Sequence, residues 1–313
     1  MSKTPSGSNS SSSRRRSNCR VCLASDLVPV LTLGATPPAN AFLAAGELTS
    51  DEPSFPLDLN CCRTCGFVQL ADVVSPELLF NDYLYVSSTS PAFVKHFEEL
   101  GQEITSQFRV PAGSLAIDIG SNDGILLKPL KQLGWNVLGV DPAHAIAARA
   151  TDAGIETLPR FFSPELAQEI RTTYGPAHLI TATSAFPHID DLDAVITGVK
   201  TLLAPGGVFL VEAYYLGDLI KQNLFDTIYH EHLSYFTVST VSRLFQRLGM
   251  ELFDVERTDT HGGSLRLYVQ KASGPHQINR AAITRFTSEE SRDRLADPKT
   301  YAAFAASIER NRK

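Results

Sequence analysis

Two hydrophobic periods alternate along this chain. From Leu115 onward, compact apolar runs bounded by turn residues are followed by stretches in which apolar side chains recur every three or four positions. The first pattern reads as a buried strand and the second as a helix. Strands are predicted at 115–119, 136–140, 155–158, 178–182 and 207–213, with helices near 124–133, 143–153, 163–173 and 191–203. A helix at 239–248 and strands at 251–257 and 265–270 follow. Pro129 lies in the first of these helices and is expected in its first turn, where proline is tolerated. Five strand–helix units, then a helix and two strands, predict an α/β fold: a doubly wound, Rossmann-like sheet of seven strands. The link from 257 to 265 is too short for a parallel crossover, so the last pair is predicted antiparallel.

Upstream the pattern changes. Residues 91–109 carry Phe93, Val94, Phe97, Leu100 and Ile104 on one side of a predicted helix. Cys19 to about Leu70 holds short apolar runs broken by Gly and Pro, as in Val28-Pro-Val-Leu-Thr-Leu33. The pattern divides the chain into a disordered tail (1–17), a small domain (18–74), the α/β domain (75–275) and a polar, helical C-terminal extension (276–313). The tail is rich in Ser and cannot bury enough apolar surface to order itself. Its Arg14-Arg15-Arg16 run reads as solvated charge. No internal repeat is present.

Composition narrows the function classes. The 313 residues carry a formal net charge of −6, so no basic face is implied and nucleic acid is not an expected partner. No apolar run reaches the roughly 18 residues of a membrane span, and the N-terminus lacks the apolar segment of a secretory signal. All five cysteines precede Gly66. That distribution fits a reducing, cytoplasmic setting better than a disulfide framework.

Four of the cysteines form two pairs, Cys19-Arg-Val-Cys22 and Cys62-Arg-Thr-Cys65. Each C-x-x-C turn aims two thiolates at one point, as tetrahedral zinc requires. The gap between the pairs is longer than usual, which is acceptable if it folds as a small sheet. Gly66 permits a tight knuckle. Cys61 is the expected spare, with Cys61 and Cys65 as an alternative pair. A closed four-thiolate site has no open position, so its role is structural. Redox pairs or free buried thiols are the other reading.

The most informative stretch is Leu115-Ala-Ile-Asp-Ile-Gly-Ser-Asn-Asp-Gly-Ile-Leu-Leu127: strand, glycine turn, helix. Such turns hold nucleotide-like cofactors at the carboxyl end of the first strand. Gly120 and Gly124 with Asn122 between them lack the third glycine of an NAD site. The spacing suits S-adenosylmethionine, with Gly120 for close backbone approach and Asp118 and Asn122 lining the methionine zwitterion. Asp141 ends the second strand about 20 residues on, where the ribose-binding acid stands in such folds. In the alternative reading, Asp118 and Asp141 only cap the helices that follow.

Phe225-Asp-Thr-Ile-Tyr-His-Glu-His-Leu-Ser-Tyr-Phe236 follows the fifth strand on the cofactor side. His230 and His232 are two apart, not the four of a metalloprotease helix. A core histidine bonded to Glu231 is the plain reading; a substrate site is the other. His188 ends the fourth-strand loop facing the same crevice. His261-Gly-Gly-Ser-Leu-Arg266 could bind a phosphate through backbone amides and Arg266.

These residues resemble the bacterial C-methyltransferases that act on nucleotide-linked 4-keto deoxysugars, members of the class I methyltransferases with a zinc-binding N-terminal domain. The likeness covers nearly the whole chain: the cysteine pairs, Asn81-Asp-Tyr-Leu-Tyr85, Asp118 to Gly124, Phe225 to Phe236 and Thr260 to Arg266. Tyr229-His-Glu-His232 is highly specific to that family. The resemblance implies a deoxysugar-biosynthesis enzyme that is a monomer, binds adenosylmethionine and structural zinc, and takes a small nucleotide-sugar substrate. It implies His232 as base, with Tyr83, His188, Tyr229 and Glu231 around the sugar. Ser184 stands where the family usually has Asn, which bears on one cofactor or substrate hydrogen bond. The family also continues for about another hundred residues into a second lobe, which is expected to be missing here.

The expected reaction is methylation at sugar carbon three. The 4-ketone acidifies the neighbouring hydrogen, His232 oriented by Glu231 removes it, and a hydroxyl or imidazole N–H stabilises the enolate. The alternatives are a methyltransferase for another small acceptor and a truncated adenosylmethionine-binding protein without catalysis.

Overall fold

A computed structural model describes residues 12–311 apart from 44, 47, 50 and 82. The N-terminal part contains β1 (Ser13–Arg15), β2 (Leu27–Thr36), β3 (Phe55–Cys62), β4 (Val68–Leu70), β5 (Asp72–Val74) and the short helix α1 (Pro76–Phe80). The long gap between the cysteine pairs therefore folds as a β-hairpin, as its length required. Strand β1 pairs antiparallel with β5. This corrects the predicted tail for residues 13–15; residues 1–11 lie outside the described residues. Arg14 and Arg15 are exposed, as solvated charge would be, but all three arginines have carboxylate partners and Arg16 is largely buried. Arg15 pairs with Asp72 at 3.0 Å, and Arg14 and Arg16 both pair with Asp190. Those acids are distant in sequence, so the local charge run did not reveal them.

The α/β part follows in predicted order: α2 (Pro91–Gln107), β6 (Leu115–Ile119), α3 (Leu127–Gln132), β7 (Asn136–Val140), α4 (His144–Asp152) and β8 (Thr157–Leu158). It continues with α5 (Pro164–Tyr174), β9 (Ala177–Thr183), α6 (Leu192–Leu202), β10 (Leu203–Tyr214), α7 (Leu216–Gln222) and β11 (Ser234–Tyr235). It closes with α8 (Val238–Arg247), β12 (Met250–Thr258), β13 (Ser264–Lys271), α9 (Arg280–Arg292) and α10 (Thr300–Asn311). Pro129 is the third residue of α3, where its missing N–H belongs to a group that has no intrahelical partner anyway.

Seven strands form one sheet in the order β12-β13-β10-β9-β6-β7-β8. Strands β8, β7, β6, β9 and β10 run parallel; β13 inserts antiparallel between β10 and β12. The strand order reverses between β6 and β9, and ligands of open α/β sheets bind in the crevice at that point. The parallel strands are buried on both faces, with Leu115, Ile117, Ile180, Phe209 and Val211 in one apolar cluster and Ala116, Leu179, Val208 and Leu210 in another.

A second sheet, β11-β4-β3-β2, joins the two halves of the chain. Ser234 and Tyr235 pair with Gln69 and Val68, so the histidine-bearing segment is stitched to the cysteine-bearing unit. Helix α10 packs on this second sheet, its Tyr301, Phe304 and Ile308 sharing an apolar cluster with Leu31, Leu59, Cys61 and Val68. Glu290 of α9 accepts the amides of Val238 (2.6 Å) and Ser239 (2.9 Å), closing the N-terminus of α8. Among the described residues, no helix is long and apolar enough to cross a membrane.

Candidate active site and metal centre

The thiols of Cys19, Cys22, Cys62 and Cys65 lie within 4.8 Å of one another. Cys19 and Cys65 are 3.6 Å apart, as are Cys22 and Cys62. The two turns are built alike. Leu23 N–H donates to the Cys19 carbonyl (3.0 Å) and Gly66 N–H to the Cys62 carbonyl (2.7 Å). Both donors have positive φ, 65° and 79°. A Cβ on Gly66 would sit 2.5 Å from Ala296, so this glycine is required twice over. The chemistry and closure of the four sulfurs fit zinc, which these cysteines would hold. Cys61 is the spare: neighbours on a strand face opposite ways, and its thiol enters the cluster under α10. Burial pushes that thiol up to about 12, so it is inert.

At the sheet crevice, Gly120 has φ +73°, and a Cβ there would lie 2.5 Å from the Ala185 Cβ. The first-strand turn and the fourth-strand loop therefore close directly on each other. Gly124 ends the turn, its amide donating to the Ser121 carbonyl at 2.9 Å. Asp118 is buried and accepts from the Thr181 hydroxyl at 2.6 Å. Burial, with Asp141 nearby, pushes its carboxyl up to about 7. Asp141 accepts the amides of Asn122 (2.8 Å) and Ala143 (2.9 Å), one on each oxygen. Neither acid is the N-cap of α3 or α4, positions held by Leu126 and Ala143.

Two cavities meet here. The larger, about 500 Å³, runs from Gly120 and Asp141 past Phe161 and Phe162 to Asp190. The smaller, about 360 Å³, is lined by Asp118, Tyr214, Tyr229, His232 and His261. Asn122, Ser184 and His188 line both. Asn122 lines the crevice and also bonds the chain above it. Its amide donates to the Tyr85 carbonyl and its oxygen accepts the Ser87 amide, both at 2.9 Å. It thereby fastens the 85–87 segment over the turn. Ser184 is left-handed, φ 61°, at the junction of the cavities.

His230 and His232 separate by role. His230 bonds the Phe55 carbonyl at 3.0 Å and edges onto the Phe55 ring, which is the core-histidine arrangement. His232 faces the smaller cavity. Its Nδ1 is 2.6 Å from the Thr227 carbonyl, which can only accept. The proton therefore sits on Nδ1, and Nε2 carries the free lone pair. This corrects the expectation that Glu231 orients the ring. Glu231 instead accepts from Asn40 (2.7 Å) and from the Tyr83 hydroxyl (3.0 Å).

Around His232 stand Tyr229 at 3.9 Å, Tyr214 at 4.5 Å and His188 at 5.0 Å between ring centres. His188 stacks in turn on Phe80, and its Nε2 is buried with no hydrogen-bond partner among the described residues. Burial lowers His188 to about 4 and holds His232 well below the usual imidazole range. Burial raises the Tyr83 and Tyr229 hydroxyls, so both stay protonated and able to donate.

Arg266 is not a phosphate ligand. It is enclosed by Glu212 (3.1 Å), Glu103 (2.7 Å) and Glu256 (3.6 Å), carboxylates brought from three other elements. Tyr214, Thr227 and Asn40 were missed in the sequence. Tyr214 ends the fifth strand on the side where the site was expected, a usable signal; the Thr227 carbonyl and Asn40 have none.

Residues 19–80 match the family described as a zinc binding domain, 95–255 a methyltransferase domain and 259–313 the C-terminal domain of C-methyltransferases. The last match corrects the expected loss of a C-terminal lobe: sequence of that domain is present. The chain is 39% identical over 294 residues to the C-methyltransferase NovU of Streptomyces niveus, spanning 94% of this chain and 70% of that protein. It is 24% identical over 178 residues to a ubiquinone biosynthesis O-methyltransferase of Colwellia psychrerythraea, spanning 52% and 68%. Among solved structures, an S-adenosylmethionine-dependent methyltransferase from Clostridium acetobutylicum aligns with a TM-score of 0.45 at 12% identity, over 57% of this chain and 92% of that one. The magnesium protoporphyrin IX methyltransferase of Synechocystis aligns at 0.43 and 15%, over 57% and 79%.

Proposed function

The chain belongs to the C-methyltransferases, and on that premise we propose that it transfers a methyl group from adenosylmethionine to carbon three of a dTDP-linked 4-keto deoxysugar, as a cytoplasmic monomer. The observation that carries this reading is the His232 ring, locked by Thr227 with its Nε2 lone pair free, at a cavity that opens into the glycine-turn crevice. A neutral imidazole facing this cavity is equipped to take a proton from carbon.

The crevice residues fit adenosylmethionine. Gly120 leaves room for close approach, Asp141 retains acceptor capacity for ribose hydroxyls, and buried Asp118 faces the smaller cavity beside the turn. When bound, this donor supplies an electrophilic sulfonium methyl. His232 Nε2 takes the proton next to the ketone, and Tyr229 donates to the enolate oxygen as negative charge develops there; the electron pair left on carbon would form the new C–CH3 bond while the S–CH3 pair stays with the departing thioether. Glu231 holds Tyr83 and Asn40 in place around the sugar. His188, stacked between Phe80 and His232, backs the His232 ring at the wall of the smaller cavity. Holding carbon and methyl at near contact supplies much of the rate.

Incubation of the purified chain with adenosylmethionine and a panel of dTDP-4-keto sugars, followed by mass spectrometry, tests this. A gain of one methyl on a 4-keto sugar supports the reading. Methylation of other small acceptors alone, or of none, refutes it.

A further inference from the structure

Arg20 lies inside the first cysteine knuckle, between Cys19 and Cys22, yet its side chain points away from the thiols. It is wholly buried and makes two bonds that reach the segments carrying His188 and His232. Its Nε donates to Asp190 Oδ1 at 2.9 Å, and its Nη1 donates to the Leu70 carbonyl at 3.0 Å. Asp190 is two residues beyond His188, just after the 3-10 turn Phe186–His188. The Leu70 amide donates to the Leu233 carbonyl at 3.0 Å, directly after His232. The Leu233 amide donates to the Pro187 carbonyl, also at 3.0 Å. The stacked imidazoles thus sit on a closed ring of bonds whose far side is one guanidinium. The knuckle fixes the root of that side chain, because the Arg20 amide is also held, by Gln69 Oε1 at 2.9 Å.

We propose that Arg20 is a positioning residue for methyl transfer: anchored in the zinc knuckle, it sets the spacing of the His188 and His232 rings through Asp190 and Leu70. This rests on the function proposed above. The four-thiolate centre then holds the geometry of the site as well as the fold of its own domain. Arg20 touches the His188 segment through Asp190 and lies one backbone pair, Leu70–Leu233, from the His232 segment. The tether can be cut without stranding a charge, since Asp190 keeps Arg14 and Arg16 as partners.

The test compares wild type with Arg20→Gln and Arg20→Lys. It reads zinc content, adenosylmethionine affinity, kcat against KM, and the imidazole resonances of His188 and His232 in histidine-labelled protein. Arg20→Gln is expected to keep its zinc and its donor affinity. Its kcat should fall about tenfold to a hundredfold, the scale on which small misplacements act, and both imidazole resonances should move. Arg20→Lys should recover part of each loss. Unmoved resonances and unchanged kcat in Arg20→Gln would overturn the proposal. If that variant fails to fold, Arg20→Met removes both donors at similar bulk while Asp190 keeps Arg14 and Arg16, and the same unmoved readings there overturn it. If wild type methylates no 4-keto sugar, the functional reading fails, while the resonances still decide whether the tether exists.

Discussion

His232 is held by Thr227, not by the glutamate beside it in sequence. The 2.6 Å contact from Nδ1 to the Thr227 carbonyl fixes the tautomer that a general base requires. Glu231 faces the other way, onto Tyr83 and Asn40. The two side chains therefore have separable effects. Glu231→Gln is expected to raise KM for the sugar, with a smaller loss in kcat and no change in the pH profile. Steady-state kinetics across pH check this. A shifted acid limb in Glu231→Gln would tie Glu231 to the base after all.

The His188 and His232 imidazoles are neutral near pH 7, because burial disfavours their charged forms. A histidine lowered on folding contributes stability that is fully present above its unfolded value, about 6.5, and is lost as pH falls toward the folded value. For His188 the window runs from about 6.5 down to about 4, and the loss across it is about 3 kcal/mol. Urea unfolding at several pH values should show stability falling through this window. The slope should be shallower in His188→Gln, and an equal slope would count against the buried neutral ring.

The cysteines make opposite predictions for neighbours in the chain. Cys62→Ser should lose zinc and lower the melting temperature by several degrees, since metal affinity and folding are linked in such sites. Cys61→Ala should keep its full zinc and cost about 1 kcal/mol from the lost sulfur contact. Elemental analysis with thermal melts distinguishes them. Zinc loss in Cys61→Ala instead would reassign the fourth ligand.

Gly120→Ala places a Cβ 2.5 Å from Ala185 on a backbone with φ +73°. Relief of about 1–3 kcal/mol of strain would open the crevice where adenosylmethionine is proposed to bind. Titration calorimetry should show affinity weakened about tenfold or more, with the circular dichroism spectrum retained. Wild-type affinity would remove the glycine turn from the donor site.

Much of the fold was legible because it is written in local periods. The strands over 115–119 and 136–140 fall where their apolar runs predict, and the two C-x-x-C spacings marked the four clustered thiols. Strand β8 is shorter than its apolar run, since an edge strand pairs on one side only. What escaped was contact between remote segments. Arg14 and Arg16 find Asp190 some 170 residues away, and Arg266 finds three carboxylates from other elements. The orienting group of His232 is a backbone carbonyl, which no residue type announces. Adjacency in sequence suggested Glu231, but the turn at 229–232 sends neighbouring side chains to different walls.

The most direct test of His232 as the base needs no methyl donor. A dTDP-4-keto sugar is incubated with the protein in heavy water, and deuterium at carbon three is followed by proton NMR. Wild type is expected to exchange that hydrogen, and His232→Gln to exchange none above the uncatalysed rate while binding adenosylmethionine normally. Equal exchange by both proteins would contradict the account.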